Sequence, residues 1–221
     1  MVEFLLTKKF KTVLDVPSGN GWLYQMLPKG TDIDGIDLFE NKQEGYRDFW
    51  QHDLDEGLPS AVGKYDLICY CEGIEHVGNP LLLLRSFYNA LNKGGMIIVT
   101  TPNIWYPQSR LQFLVRGFFP SFPSLVDSQI NFGSHMHITP WSYPQLYPYL
   151  KLAGFGVPDL VSEPLYTPKH FFEKIVGLPS KIYCAGKLKK AKTKEELNFW
   201  CTAGSTGSRL GRHLIVHAVK E

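Results

Sequence analysis

The chain has 221 residues, 44% of them hydrophobic and 20% charged, enough for one α/β domain with a substantial apolar core. Its net charge of +2 hides an asymmetry, because residues 1–165 carry 12 Lys/Arg against 17 Asp/Glu while residues 166–221 carry 11 against 4. Much of the excess lies at 181–194, in Lys181, Lys187, Lys189, Lys190, Lys192 and Lys194. That stretch reads as a solvated segment, or as a contact with phosphate or an anionic membrane surface; nucleic acid is disfavoured because no recognition fold accompanies the charge.

Cysteines and flanks bound the compartment. Cys69, Cys71, Cys184 and Cys201 form no CxxC pair, which argues against a disulfide framework or a zinc site and suits a reducing cytosol. Cys69 and Cys71 are expected on opposite sides of their strand. The first residues place a short apolar patch ahead of lysines, the reverse of a signal peptide, and no run approaches the roughly 18 apolar residues that span a bilayer. A soluble, cytoplasmic protein is expected, with peripheral membrane contact as a further reading.

In chain order, Thr12–Val16 is an apolar, β-branched strand, and Gly21–Leu27 starts a helix. Residues 31–38 alternate as a second strand, and 47–59 make a short strand edge and a loop. Residues 64–71 (KYDLICYC) form a continuous apolar strand, followed by a helix over 80–91, a turn at Asn92–Gly95 and a buried strand at 96–103. Strands apolar on both faces and separated by helices predict a parallel sheet covered on both sides, with ligands at the strands' C-terminal ends. Residues 104–138 are aromatic- and proline-rich and too long for an ordinary connection, so they read as a helix-bearing lid. Within it, Gly117 ends a helical stretch whose Leu111, Leu114 and Val115 form an apolar face, read as core or as a half-embedded helix at a membrane. A helix over about 142–153, a strand near 157–166, a capped helix from Thr193 and a closing strand at 212–220 complete the pattern.

The chemistry concentrates at VLDVPSGNG, residues 13–21. No Lys-Ser/Thr pair follows these glycines, so this is no P-loop, and Tyr24 occupies the third glycine position of a dinucleotide loop, which disfavours a nicotinamide oxidoreductase. The stretch resembles the first motif of class I S-adenosylmethionine (SAM)-dependent methyltransferases, with Asp15, Gly19 and Gly21 matching and Pro17 in place of the first glycine. Pro17 is expected to pre-set the turn, since proline fixes φ and removes only one amide donor. YDLICYCEGIEHVGNP and LNKGGMIIVTTPN are similar to stretches of the small-molecule, ubiquinone-pathway-like branch. The resemblance covers residues 11–103, and HITPWSYPQL and GSRLGRHLIVHA point more weakly to enzymes that modify bacterial surface glycans.

The resemblance implies a Rossmann-like, doubly wound, mostly parallel sheet of about seven strands with a helical lid insertion after the fifth. It implies one domain over 1–221, with a lid at 104–138 and a basic helical insertion at 167–211 before the last strand. SAM is expected against Asp15, Pro17, Gly19, Gly21, Asp37, Leu38, Asp53, Leu54 and Cys71, with Asp37 on the ribose and the Asp53 loop on the adenine. Glu72, Glu75 and His76, at i, i+3 and i+4, are expected on one helical face; the resemblance makes them candidates to hold Mg²⁺, but a structural role is the other reading and no resident metal is expected. His76, His135 and His137 are candidate general bases and Glu72 a candidate catalytic group, while His213 and His217 read as structural. The expected reaction is O-methylation of a hydroxyl on a sugar, glycolipid precursor or related small molecule. An inactive SAM-binding partner subunit is the alternative.

Overall fold

The structure, a computed structural model, describes residues 1–119, 137–161 and 171–221. Among these, seven strands form one sheet: β1 (Thr12–Val16), β2 (Asp32–Asp37), β3 (Phe49–Gln51), β4 (Tyr65–Cys71), β5 (Leu91–Pro102), β6 (Asp159–Leu160) and β7 (His213–Val219). The order is β3-β2-β1-β4-β5-β7-β6. Strands β1 to β5 run parallel, and β7 is inserted antiparallel to both β5 and β6. The order reverses between β1 and β4, which opens the crevice where such sheets bind ligands.

The apolar runs are divided between two cores by the two-residue repeat of a strand. Leu14, Ile68, Ile97 and Val99 face one core with Leu83, Leu84 and Phe87 of α3 (Pro80–Ala90) and Leu146 and Leu150 of α5 (Tyr143–Ala153). Val13, Leu67, Met96 and Ile98 face the other, with Leu5 of α1 (Val2–Leu6) and Leu23 of α2 (Trp22–Met26). Each fully buried leucine contributes about 1.5–3 kcal/mol to this arrangement. Cys69 and Cys71 both enter the second core, correcting the expectation of opposite sides: residues two apart on a strand share a face.

Two local expectations change. Residues 92–95 are not a separate turn but a bulge within β5, where Leu91 pairs with Tyr65, pairing resumes at Met96 with Leu67, and Gly94 takes φ +76°. The strand expected near 157–166 is limited to Asp159–Leu160, and residues 162–166 lie outside the described residues.

After β5 comes α4 (Pro107–Arg116), ended by Gly117 in the left-handed region at φ +79°. Leu111, Leu114 and Val115 are not core: they are exposed, Leu114 and Val115 at 80% and 83%. The basic region forms α6 (Phe171–Leu188), α7 (Lys194–Gly204) and α8 (Thr206–Leu210). Arg110 joins these helices to α4, donating to the Trp105 carbonyl at 2.7 Å and Ser180 Oγ at 3.1 Å. Tyr106 Oη donates to the buried Glu173 at 2.7 Å. No helix among the described residues is long and apolar enough to cross a membrane.

Candidate functional site

The loop after β1 crosses the crevice. The Val16–Pro17 peptide is cis, and Gly19 and Gly21 take φ +51° and +72°, a region that only glycine enters cheaply. Gly21 is the N-cap of α2 and lies against Gln43, whereas a Cβ on Gly19 would meet nothing within 4 Å, so the backbone there faces open space. Three of the loop's amides are already engaged. Ser18 donates to the Ile36 carbonyl, Gly21 to the Ser18 carbonyl and Gly19 to Asp37 Oδ2, all at 2.9 Å, and Pro17 has no N–H. With those three amides engaged and Pro17 lacking one, the loop does not offer the run of free amides that cradles a phosphate, which agrees with the missing P-loop and dinucleotide signatures.

Asp37 ends β2 and is 8% exposed; its Oδ1 accepts from the Phe39 amide at 3.1 Å. Pro17, Gly19, Asp37, Leu38, Asp53 and Leu54 line one space of about 350 Å³ together with Glu72 and His76. Cys71 lines a second of about 560 Å³ with Trp22, Thr100 and His213. Asp15 and Gly21 border neither space. Asp15 is fully buried under the loop, with Oδ2 accepting from Tyr46 Oη at 2.5 Å and Oδ1 lacking a partner. Burial pushes its carboxyl up to about 7, the Tyr46 hydrogen bond opposes this, and the Asp37 charge adds to it.

The end of β4 departs from expectation. Glu72 sits at φ +51°, the one non-glycine residue with positive φ among the described residues, a conformation costing about 1–3 kcal/mol. A 3₁₀ turn, Ile74–His76, follows, so Glu72, Glu75 and His76 do not share a helical face. Glu72 turns into the cleft, accepting from Thr100 Oγ at 2.8 Å and lying 3.3 Å from His213 Nδ1. Glu75 is buried and accepts from Thr101 Oγ at 2.9 Å, and burial together with the Glu72 charge pushes it up to about 7. His76 meets His137 edge to face at 5.0 Å. Ile138 and Thr139 donate to the Glu75 carbonyl at 2.7 and 3.1 Å, which holds this histidine pair in place. His135 lies outside the described residues.

A third space of about 750 Å³ is lined by Glu72, Glu75, Tyr106, Gln112, His137 and His213, beside α4. Glu72 borders all three spaces. Ligand atoms of Glu75, His76 and His137 lie within 4.8 Å of one another, without Glu72. One carboxylate and two imidazoles do not make a Mg²⁺ site, which takes mainly oxygen ligands, so these donors do not suit the Mg²⁺ that the resemblance allowed. SAM fits better: the space is open at the Gly19 backbone, acidic at Asp37 and Asp53, and apolar at Leu38, Leu54 and Val77.

Sequence reasoning missed His213 and Tyr46. Tyr46 bears no motif. His213, read as structural, enters the cleft because β7 pairs with β5, placing it opposite Pro102.

The model of the methyltransferase domain family matches residues 1–157. A ubiquinone biosynthesis O-methyltransferase from Ruegeria pomeroyi is 30% identical over 101 residues, covering 41% of this chain and 41% of that protein. Another from Psychrobacter cryohalolentis is 33% identical over 106 residues, covering 42% and 41%. The chain thus spans about two-fifths of the length of the curated relatives it matches. Among solved structures, a SAM-dependent methyltransferase from Archaeoglobus fulgidus superposes with TM-score 0.55 at 17% identity, over 95% of this chain and 86% of that one. A Burkholderia thailandensis didemethyltoxoflavin N1-methyltransferase with bound S-adenosylhomocysteine gives 0.53 at 13%, over 99% and 74%. The structural likenesses show the shared fold; with the family match over most of its length, the chain belongs to the class I SAM-dependent methyltransferases.

Proposed function

We propose that this protein transfers the SAM methyl group to a hydroxyl oxygen of a small molecule, glycan or glycolipid precursor held beside α4. SAM supplies an electrophilic methyl on a sulfonium. The observation that carries this reading is the adjacency of two spaces: the one under Asp37 and Asp53 suits an adenosine, the 750 Å³ one suits an acceptor, and Glu72 borders both. In this reading Asp37 accepts from the ribose hydroxyls, Asp53 and Leu54 flank the base, and Pro17, Gly19, Leu38 and Cys71 shape the walls. Asp15 acts from beneath, its partnerless Oδ1 directed to the ligand's ammonium through a small shift of the loop. The chain's work is to align acceptor and methyl while excluding water. Oxygen is favoured as acceptor because the curated relatives are named O-methyltransferases and because the stretch CEGIEH, not an amide-binding Asn-Pro-Pro-Tyr loop, occupies the end of β4. A partner subunit without activity would leave the acceptor-sized space without a role.

The setting is the cytoplasmic face of a membrane. Phe171, Ile175, Leu178 and Ile182 repeat along one face of α6, all exposed, and Leu114 and Val115 of α4 are exposed as well. Exposed Lys174, Lys181 and Lys187 complement anionic headgroups. The four cysteines are unpaired, as a reducing compartment allows.

The test is calorimetric titration with S-adenosylhomocysteine, with NADH in parallel. Micromolar binding of the first alone is expected, followed by methyl transfer to hydroxyl acceptors in a glycan and phenol screen. Binding of NADH instead would overturn the reading.

A further inference from the structure

Methylating a hydroxyl releases a proton, and four imidazoles line these spaces: His52, His76, His137 and His213. We propose that His213, oriented by Glu72, is the general base that takes this proton, an inference that rests on the O-methyltransferase reading above. Neither residue was singled out as a pair by motif or spacing; the sheet brings them together.

Position comes first. Among the three spaces, His52 and His76 border only the one under Asp37, and His137 only the large one beside α4. His213 borders the large space and also the one lined by Cys71 and Gly19, so it stands where acceptor and methyl donor meet. Orientation follows. His213 Nδ1 lies 3.3 Å from Glu72 Oε2 and 3.4 Å from Oε1. Donation from Nδ1–H to that carboxylate leaves Nε2 as the accepting nitrogen of the neutral ring.

Glu72 is itself held. Thr100 Oγ donates to its Oε1 at 2.8 Å, and the Glu72 amide donates to the Thr100 carbonyl at 3.0 Å. Its left-handed backbone turns the side chain away from the line of β4 and into the cleft. Strain of this kind persists only where surrounding contacts fix it, and it gathers at working sites. The electrostatics agree. Around His213, the Glu72 hydrogen bond and charge raise its pKa above the ordinary histidine value, with Glu75 adding, while burial and the neighbouring Arg212 oppose. Burial and His76 push His137 the other way. An imidazolium formed at His213 therefore has a carboxylate against it.

The step balances. The acceptor oxygen forms its bond to the methyl carbon as its proton passes to His213 Nε2. The carbon–sulfur bonding pair leaves onto sulfur, giving the neutral thioether, and the imidazolium later releases its proton to solvent.

The experiment uses the full chain with labelled histidines, saturated with S-adenosylhomocysteine. In the wild type, NMR should show neutral His213 as the Nδ1–H tautomer, and Glu72→Gln should lower its titration midpoint by about one pH unit. With catechol as the acceptor probe, His213→Gln should cost on the order of 100-fold or more in kcat at pH 7 while still binding S-adenosylhomocysteine. That loss should shrink toward pH 9, where catechol ionises without help. An Nε2–H tautomer, an unmoved midpoint in Glu72→Gln, or a wild-type rate in His213→Gln would each overturn the assignment. The tautomer is read in the wild type, so it holds even if a variant fails to fold. Loss of S-adenosylhomocysteine binding in the wild type would defeat the methyltransferase reading itself, whereas intact binding with the wrong tautomer defeats only the base.

Discussion

Asp15 shows how a fold can hold a single residue in an unfavourable setting. Its carboxyl is buried, hydrogen-bonded on one oxygen only, and pushed up to about 7 by desolvation. Because the folded pKa lies above the unfolded one, its contribution to stability is fully present below about pH 4 and is lost as pH rises through about 7. Asp15→Asn, uncharged at every pH, should therefore raise the melting temperature of the ligand-free protein at pH 8 but not at pH 4. The gap should correspond to a few kcal/mol at most, on the order of 2–4. The same variant should bind S-adenosylhomocysteine more weakly; a variant that binds as tightly as the wild type would remove Asp15 from the site. Asp37 is placed differently, with both oxygens holding loop amides. Asp37→Ala should weaken S-adenosylhomocysteine binding by about 1–3 kcal/mol in calorimetry, and unchanged affinity would sink the ribose assignment.

At the level of elements, the sheet and its loops were legible because each strand carried its own pattern. The doubly apolar run of β4 and the glycine turn after β1 marked the two strands between which the sheet order reverses. The face shared by Glu72, Glu75 and His76 was misread because it assumed a helix. A single residue at φ +51° followed by a 3₁₀ turn sends the three side chains to different neighbours, and no spacing rule signals that. His213 was hidden for another reason: its nearness to Glu72, 141 residues earlier, depends on β7 entering between β5 and β6. Two substitutions probe elements directly. Gly21→Ala would place a Cβ 2.7 Å from Gln43 at a positive φ, and should cost about 1–3 kcal/mol by thermal melting and impair ligand binding. Thr193, whose hydroxyl accepts from the Glu196 amide at the start of α7, lies in no described cavity wall near the crevice. Thr193→Ala should cost about 1 kcal/mol and leave S-adenosylhomocysteine affinity alone; a change in both would mean that α7 reaches the site.

For the whole molecule, charge and apolar exposure fall on the same helices. The lysine-rich stretch singled out by composition lies partly on α6, beside the exposed Ile175, Leu178 and Ile182. Co-sedimentation with vesicles containing anionic lipid should capture the wild-type protein at low salt and lose it as salt rises, because headgroup attraction is screened within about 8–10 Å at physiological ionic strength. Ile182→Glu combined with Leu114→Glu should abolish capture without altering ligand affinity. Equal capture by neutral and anionic vesicles would remove the lysines from the account.

Strand β7 also bears on how the molecule is made. It fills an interior place in the sheet, pairing with seven consecutive residues of β5, yet it comes after the other six strands of the described residues. A translation product stopped before His213 would hold the glycine loop and its acidic rim, but would expose the full edge of β5, an edge prone to pair with other chains. The proposed base and the strand that covers β5 lie in the same seven residues, so a chain cut before them would lose both at once.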